Sequence, residues 1–195
     1  MNFTDISNHL GRFTVGIAGA GGLGSNCALA LARSGIGRLV IADFDVIDRS
    51  NLNRQFYFAD QVGMKKTEAL RMNLDRIGSN TRVDAFNIML NPGNISTIFK
   101  DCQIIIEAFD RADMKEMLAE TVLTLWPGRP LIMGSGMAGY GMSETLKVRD
   151  LGDNLYVCGD EQTEISDDLP PMAPRVGIVA SMQANLAIEL LMKME

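Results

Sequence analysis

Between Val15 and Asp45 the chain reads VGIAGAGGLGSNCALALARSGIGRLVIADFD, and few folds accommodate that pattern. A short apolar run ends in Gly19-x-Gly21-x-x-Gly24, a helix-like segment follows, and a second apolar run ends in Asp43. A buried strand that enters a glycine turn and then a helix presents free N–H groups and the positive end of the helix dipole. That is a seat for phosphate. Side chains in place of the glycines would hold the backbone away from the phosphates or resist the turn's dihedrals. Asp43 lies about 20 residues past the last glycine, where a carboxylate can accept hydrogen bonds from ribose hydroxyls. The stretch predicts a nucleotide-binding βαβ unit; the competing reading is a glycine turn kept only for helix–strand packing.

The same alternation continues downstream. Strands are expected over 13–18, 38–42, 81–86, 103–107 and 130–133, and helices over 23–34, 64–77, 95–99, 112–125 and 175–192. Residues 1–12 read as a short helix or a loose N-terminal arm. Residues 140–148 and 154–157 read as strands joined by a turn, and acidic, proline-ended 159–171 as a flexible crossover loop. Buried strands alternating with helices imply an α/β, Rossmann-like, mostly parallel sheet with helices on both faces, to which the late strands add an antiparallel extension. With 195 residues and 47% hydrophobic content the chain can bury one core. It reads as a single nucleotide-binding domain over 1–195.

Composition narrows the chemistry. A formal charge of -6 argues against a nucleic-acid partner held by phosphate neutralisation. The only histidine, His9, precedes the first strand, which excludes most histidine triads and multi-histidine metal sites. Cys27, Cys102 and Cys158 are too scattered for a disulfide framework or a Cys-x-x-Cys zinc pair. Neither a secretory pattern nor a membrane span is expected, so a reducing cytoplasm is the expected compartment. The 13 methionines read as fillers of core gaps.

Ligands of an open parallel sheet collect beyond the carboxyl ends of its strands. Four groups are expected there. The glycine turn and Asp43 come first, followed by Asp45 and Asp48 as ligands or as solvated loop acids. In Asn51-Leu52-Asn53-Arg54-Gln55 the guanidinium presents a planar fork to phosphate oxygens, unless the stretch is only a cap with a surface arginine. One lysine of Lys65-Lys66 could reach a β or γ phosphate. Asp110, after the buried run IIIEAF, could hold magnesium on a triphosphate or cap the next helix. Their convergence suits a triphosphate better than a dinucleotide. There is no second glycine fingerprint, and no histidine or Tyr-x-x-x-Lys pair to handle a hydride-transfer proton. ATP is the preferred nucleotide over NAD(P).

GAGGLGSN, ADFDVIDRSNLNRQFYFADQVGMKKTEAL, AFDRADMK and MAPRVGIVASMQANLAIELL together resemble the ThiF/MoeB/HesA family, itself similar to the adenylating core of ubiquitin-activating enzymes. The likeness covers about residues 13–194 and is nearest to the short, zinc-less bacterial ThiF proteins of thiamine biosynthesis. It implies adenylation of the C-terminal Gly-Gly carboxylate of a ubiquitin-like sulfur carrier such as ThiS, with ATP and Mg²⁺. Gly19, Gly21, Gly22 and Gly24 would then surround the phosphates and Asp43 the ribose. Arg54 and Lys66 would offset charge on the leaving pyrophosphate, Asp110 would hold Mg²⁺, and Asn51 and Gln55 would orient the reacting centre. The attacking carboxylate is already an anion, so no protein base is required and catalysis rests on positioning and electrostatics.

The departures from that family carry their own expectations. No Cys-x-x-Cys pairs occur, so no structural zinc is expected. Loop 160–171 lacks the cysteine that relatives use for carrier transfer, and Cys158, the nearest, reads as inert in preference to an acceptor. Relatives also complete the ATP site with an N-terminal arginine from a partner subunit, which Arg12 matches poorly. The resemblance implies a homodimer.

Overall fold

A computed structural model describes residues 2–194; Met1 and Glu195, the ends of the expected 1–12 arm and 1–195 domain, lie outside the described residues. In chain order the elements are α1 (Phe3–Leu10), β1 (Thr14–Ala18), α2 (Gly22–Ser34), β2 (Arg38–Asp43), α3 (Lys66–Arg76), β3 (Arg82–Asn87), α4 (Pro92–Ile98) and β4 (Ile104–Glu107). They continue with α5 (Ala112–Leu125), β5 (Leu131–Gly134), β6 (Lys147–Asp150), β7 (Leu155–Gly159) and α6 (Ala173–Leu191). Seven strands form one sheet in the order β3-β2-β1-β4-β5-β7-β6. All neighbours are parallel except β6, which runs antiparallel to β7. The α/β class, the helices on both faces and the antiparallel extension agree with the sequence reading.

Strand pleating divides the core into two layers. Ile104 and Ile106 point to the side covered by α2, α3 and α6, whereas Ile105 points to the side covered by α4 and α5. Successive side chains alternate across a strand, so a run such as IIIE is buried on both faces at once. In β1 the alternation leaves Gly16 facing Phe99, whose ring occupies the space a Cβ would need, 2.7 Å away. The chain leaves β1 for β2 and β3 on one side and returns to β4 on the other. The crevice beyond the carboxyl ends of β1 and β4 is therefore a topological switch point.

One open reading is decided and another changes. The N-terminal segment is a helix, because Asn2 and Asp5 form a reciprocal capping box that satisfies two otherwise orphaned N–H groups. The strand expected over 140–148 is confined to Lys147–Asp150. Gly139, Gly141 and Met142 take positive φ values, which an extended strand cannot contain, and Ser143–Thr145 is a short 3-10 turn. The apolar alternation there reflects side chains on an irregular loop.

The third fingerprint glycine serves packing. A Cβ at Gly24 would sit 1.9 Å from the Gly19 carbonyl oxygen, so α2 rests directly on the turn that precedes it. Gly177 in α6 has open space at the same point. Gly24→Ala should lower unfolding stability by about 2 kcal/mol or more through overpacking. Gly177→Ala should be neutral or raise it by up to about 1 kcal/mol through helix propensity. Denaturant melts of the two variants check the contrast.

Candidate functional site

The crevice holds a cavity of about 280 Å³ whose floor is the glycine turn. At Gly19 φ is +104° and a Cβ would meet the Ala108 carbonyl at 2.8 Å, so no side chain is possible there. The following peptide is gripped from both sides. The Ala20 N–H donates to Asp43 Oδ2 at 2.6 Å, and its carbonyl accepts from the Tyr57 hydroxyl at 2.7 Å. Asp43 Oδ1 accepts from the Asp45 N–H at 2.8 Å. Asp43 is thus first a clamp on the turn, but it lines the cavity, and each oxygen keeps a second lone pair for a ribose hydroxyl. Burial raises its carboxyl, opposed by the two N–H donors and Lys66. Burial, aided by Asp43 and Asp45, also raises the Tyr57 hydroxyl and keeps it a neutral donor.

Gly21 and Gly22 face the cavity; Gly24 does not. The 51–55 stretch divides similarly. Asp48 caps the 3-10 turn Arg49–Asn53, and Asn51 Oδ1 returns the bond by accepting from the Asp48 N–H at 3.0 Å. Both are occupied in local structure, and neither lines the cavity. Arg54 and Gln55 do. They are placed by α2: Asn26 Nδ2 donates to the carbonyls of Gly22 and Arg54 at 2.7 and 2.9 Å, and the Ser25 hydroxyl accepts from the Phe56 N–H. Arg54, half-buried, donates through Nη1 to Asn53 Oδ1 at 2.8 Å and to the Ser50 carbonyl at 3.2 Å, while its Nε and Nη2 bond to none of the described residues. Gln55 is buried, and its Oε1 has no hydrogen-bond partner among the described residues. A buried acceptor in a cavity wall calls for a donor from whatever fills the cavity.

Of the lysine pair, Lys65 is the exposed residue before α3 and Lys66 is the buried one. Lys66 Nζ lies 2.7 Å from Asp45 Oδ2, and both residues line the cavity. Asp110 stands exposed on the opposite rim. Its loop is fixed from below by Glu107, which accepts from the Phe109 N–H at 2.6 Å and pairs with Lys115 Nζ at 2.7 Å. Lys115 also donates to the Gly134 carbonyl at 2.8 Å. Burial raises the Glu107 carboxyl against the pull of Lys115. Among the described residues no group of three or more His, Cys, Asp or Glu side chains is arranged around a metal. Asp110 offers one carboxylate, the donor set of a Mg²⁺ that takes its other ligands from phosphate and water.

Phe44, Ile88, Met89 and Leu90 form an apolar wall beside Asp43, suited to the face of a base. Ile165 and Pro171 of the 160–171 segment close the cavity from above. The apolar wall, Asp43, the glycine turn, the cations Arg54, Lys66 and Arg111 and the rim carboxylate of Asp110 therefore surround one space, with groups of the kinds a nucleoside triphosphate requires.

The ThiF family matches residues 3–195. The chain belongs to the ThiF family. It is 28% identical to the molybdopterin-synthase adenylyltransferase of Escherichia coli K12 over 180 residues, 90% of this chain and 71% of that protein. It is 31% identical to the adenylyltransferase and sulfurtransferase UBA4 of Vanderwaltozyma polyspora over 86% of this chain but 39% of that protein. Escherichia coli tRNA N6-threonylcarbamoyladenosine dehydratase TcdA, solved with ATP, superposes with a TM-score of 0.87 at 20% identity, covering 96% of this chain and 89% of that one. That likeness concerns the fold.

Several site residues of this ThiF-family chain escaped sequence reasoning. Tyr57, Asn26, Glu107 with Lys115, and the wall at 88–90 make their contacts across the chain. The available signals were a glutamate ending a fully buried strand and an aromatic inside a polar loop. Arg175 is the largest case, with a side chain 1% exposed on the mostly apolar α6; it donates through Nη2 to Asp160 Oδ2 at 2.6 Å. Burial would raise Asp160, but the N–H groups of Thr163 and Gln162, the Thr163 hydroxyl and Arg175 together hold it below the usual carboxylate range.

All three cysteines are free and buried. Burial pushes the thiols of Cys102 and Cys158 up to about 12 and raises Cys27 as well. Cys158 is therefore unsuited to attack, in keeping with the inert reading. An exposed-thiol reagent at pH 8 should leave the native protein unlabelled and modify all three cysteines after denaturation. Because the Asp160 carboxyl lies lower in the folded chain, its contribution is present above the ordinary Asp range and lost as pH falls through the folded value. Asp160→Asn should accordingly flatten the acid limb of the melting-temperature profile.

Proposed function

We propose that this protein catalyses ATP-dependent adenylation of the C-terminal carboxylate of a small ubiquitin-like carrier, a Gly-Gly-ended sulfur carrier of the ThiS type serving thiamine biosynthesis, with release of pyrophosphate. The observation that carries the reading is the convergence of Arg54, Lys66 and Asp110 on the cavity that also contains the glycine turn and Asp43. Membership of the ThiF family and the adenylyltransferase relatives support it. The chain spans about two-fifths of the length of its UBA4 relatives, whose additional activities lie beyond this proposal.

In this reading the apolar wall receives the adenine, Asp43 the ribose and the turn at Gly21 and Gly22 the phosphates. The carrier's carboxylate attacks the α-phosphorus, and the acyl adenylate forms as the bond to pyrophosphate breaks. Arg54 and Lys66 stabilise the charge that grows on the leaving group, and Gln55 orients the reacting centre by donating from its Nε2 amide. Asp110 would hold Mg²⁺, which supplies further charge neutralisation at the phosphates. No side chain needs to remove a proton, which agrees with a site free of histidine. Three buried thiols support an activity that stops at the adenylate and hands it to another protein's nucleophile. They also agree with a reducing cytoplasmic setting, and no described helix is long and apolar enough to cross a membrane. A homodimer belongs to the same reading, on the family resemblance.

ATP–pyrophosphate exchange with purified protein, Mg²⁺ and a ThiS-like carrier tests it. Exchange should depend on the carrier's terminal Gly-Gly. Arg54→Ala and Lys66→Ala should each lower it by about 10²–10³-fold, the cost of one electrostatic donor, and Asp110→Ala should abolish it. ATP binding without exchange, with every carrier tried, would instead support a nucleotide-holding subunit without turnover.

A further inference from the structure

The cavity roof consists of two irregular segments. One is the glycine-rich stretch 135–142, which contributes Met137, and the other is 160–171, which contributes Ile165 and Pro171. They are laced together at both ends. The Asp160 N–H donates to the Gly136 carbonyl at 3.0 Å and the Glu161 N–H to the Ser135 carbonyl at 3.2 Å, while the Gly139 N–H donates to the Pro170 carbonyl at 2.9 Å. A Cβ at Gly136 would strike Asp160 Oδ1 at 2.1 Å, so the two segments are in direct contact.

One side chain binds both to the body of the protein. Arg175, in the first turn of α6, donates through Nη2 to Asp160 Oδ2 at 2.6 Å. Through Nη1 it donates to the carbonyls of Gly141 and Met142 at 2.7 and 3.2 Å. Thr163 completes the knot, its N–H donating to Asp160 Oδ1 at 2.9 Å and its hydroxyl to Oδ2 at 3.0 Å. The side chains of Arg175 and Asp160 are 1% and 6% exposed. A guanidinium fork can serve a carboxylate and two carbonyls together, which a lysine ammonium on its flexible stem cannot reproduce in the same geometry. The next residue, Val176, lines the cavity and lies against the phosphate turn, 2.9 Å from the position of a Cβ on Gly22. Roof and floor therefore meet at the first turn of α6.

An acyl adenylate is a mixed anhydride. If water reaches it, the water oxygen attacks the carbonyl carbon and the bond to the AMP oxygen breaks. The carboxylate and AMP are released, both protons of the attacking water pass to solvent, and one ATP is spent without product. Excluding water from such a centre is a task for an apolar cover held shut. We propose that Arg175 is a positioning residue that holds the 160–171 segment closed over the reacting centre, so that the activated acyl group meets its acceptor and not water. The inference rests on the adenylation reading for its chemistry, but the latch has a test of its own.

Wild type, Arg175→Lys, Arg175→Met and Asp160→Asn are compared as whole chains whose native fold is checked by circular dichroism and melting. Glutamyl endopeptidase reads the latch directly, since Glu161 and Glu164 lie within the roof segment. Cleavage there should accelerate about tenfold or more in the variants, as expected when a charge-assisted bond no longer biases the closed arrangement. With a ThiS-like carrier, AMP formed without acceptor, per pyrophosphate exchanged, should rise by a similar factor of about ten while exchange itself falls less. If Arg175→Met does not fold, Arg175→Lys and Asp160→Asn decide. Folded variants with wild-type cleavage rates overturn the latch. A proportional fall of exchange and AMP release, with no change in their ratio, overturns the water-excluding role. If wild type exchanges with no carrier, the adenylation reading fails, and faster cleavage would still establish that Arg175 holds the roof.

Discussion

The Ala20 peptide is the point on which the site depends. Its N–H is held by Asp43 from the end of β2, its carbonyl by the buried Tyr57 hydroxyl, and the preceding Gly19 N–H by the Ala42 carbonyl at 2.8 Å. A backbone turn that must present its N–H groups to an anion has few internal hydrogen bonds of its own, so its shape has to be imposed from outside. Asp43 does this and lines the ligand space as well. The same carboxylate therefore holds the turn in shape and faces the space the turn encloses. Burial costs this carboxylate part of its ease of ionisation, and the two backbone donors with Lys66 offset that cost.

Around this fixed point the charged groups are arranged in pairs that each fasten one loop. Asp45 steadies Lys66, Glu107 and Lys115 support the loop carrying Asp110, and Asp160 with Arg175 gathers the roof. Buried ion pairs add little net stability compared with apolar packing, but removing one partner is costly because the other is left unpaired. Such pairs suit positions where irregular backbone must be held in one geometry. That is the situation at the carboxyl ends of parallel strands, where loops have no ladder to define them. The strands beneath need no such help, since Ile104, Ile105 and Ile106 are all fully buried.

The sequence reading succeeded where chemistry and spacing are local. The glycine turn, Asp43 as the acid ending β2, the parallel α/β order and the helix Ala112–Leu125 follow from neighbouring residues and hydrophobic period. So does the gathering of Arg54, Gln55, Lys66 and Asp110 at one edge, because topology forces strand ends to share it. Asn51 was assigned to the same rim by the family resemblance, and in the structure its side chain caps the 49–53 turn and does not line the cavity. Gly24 was grouped with the phosphate glycines, yet its missing Cβ makes room for a carbonyl. Spacing identifies that a residue is near a site; it does not say which way its side chain turns.

What the amino-acid sequence determined by itself was the kind of fold and the edge of the sheet at which the candidate site gathers. Periodicity and glycine placement are short-range properties that survive without knowledge of the partner elements. What only the tertiary structure decided was the contact set that makes the site rigid: Tyr57 under the turn, Asn26 against Arg54, Lys115 on Glu107, and Arg175 reaching Asp160 and Met142. These join residues from 8 to 37 positions apart. No local rule pairs them, because each contact exists only after the sheet has brought its loops together. The unexpected burial of an arginine in the first turn of α6 has the same origin. Its charge is tolerable only where a folded chain supplies a carboxylate and two carbonyls at once.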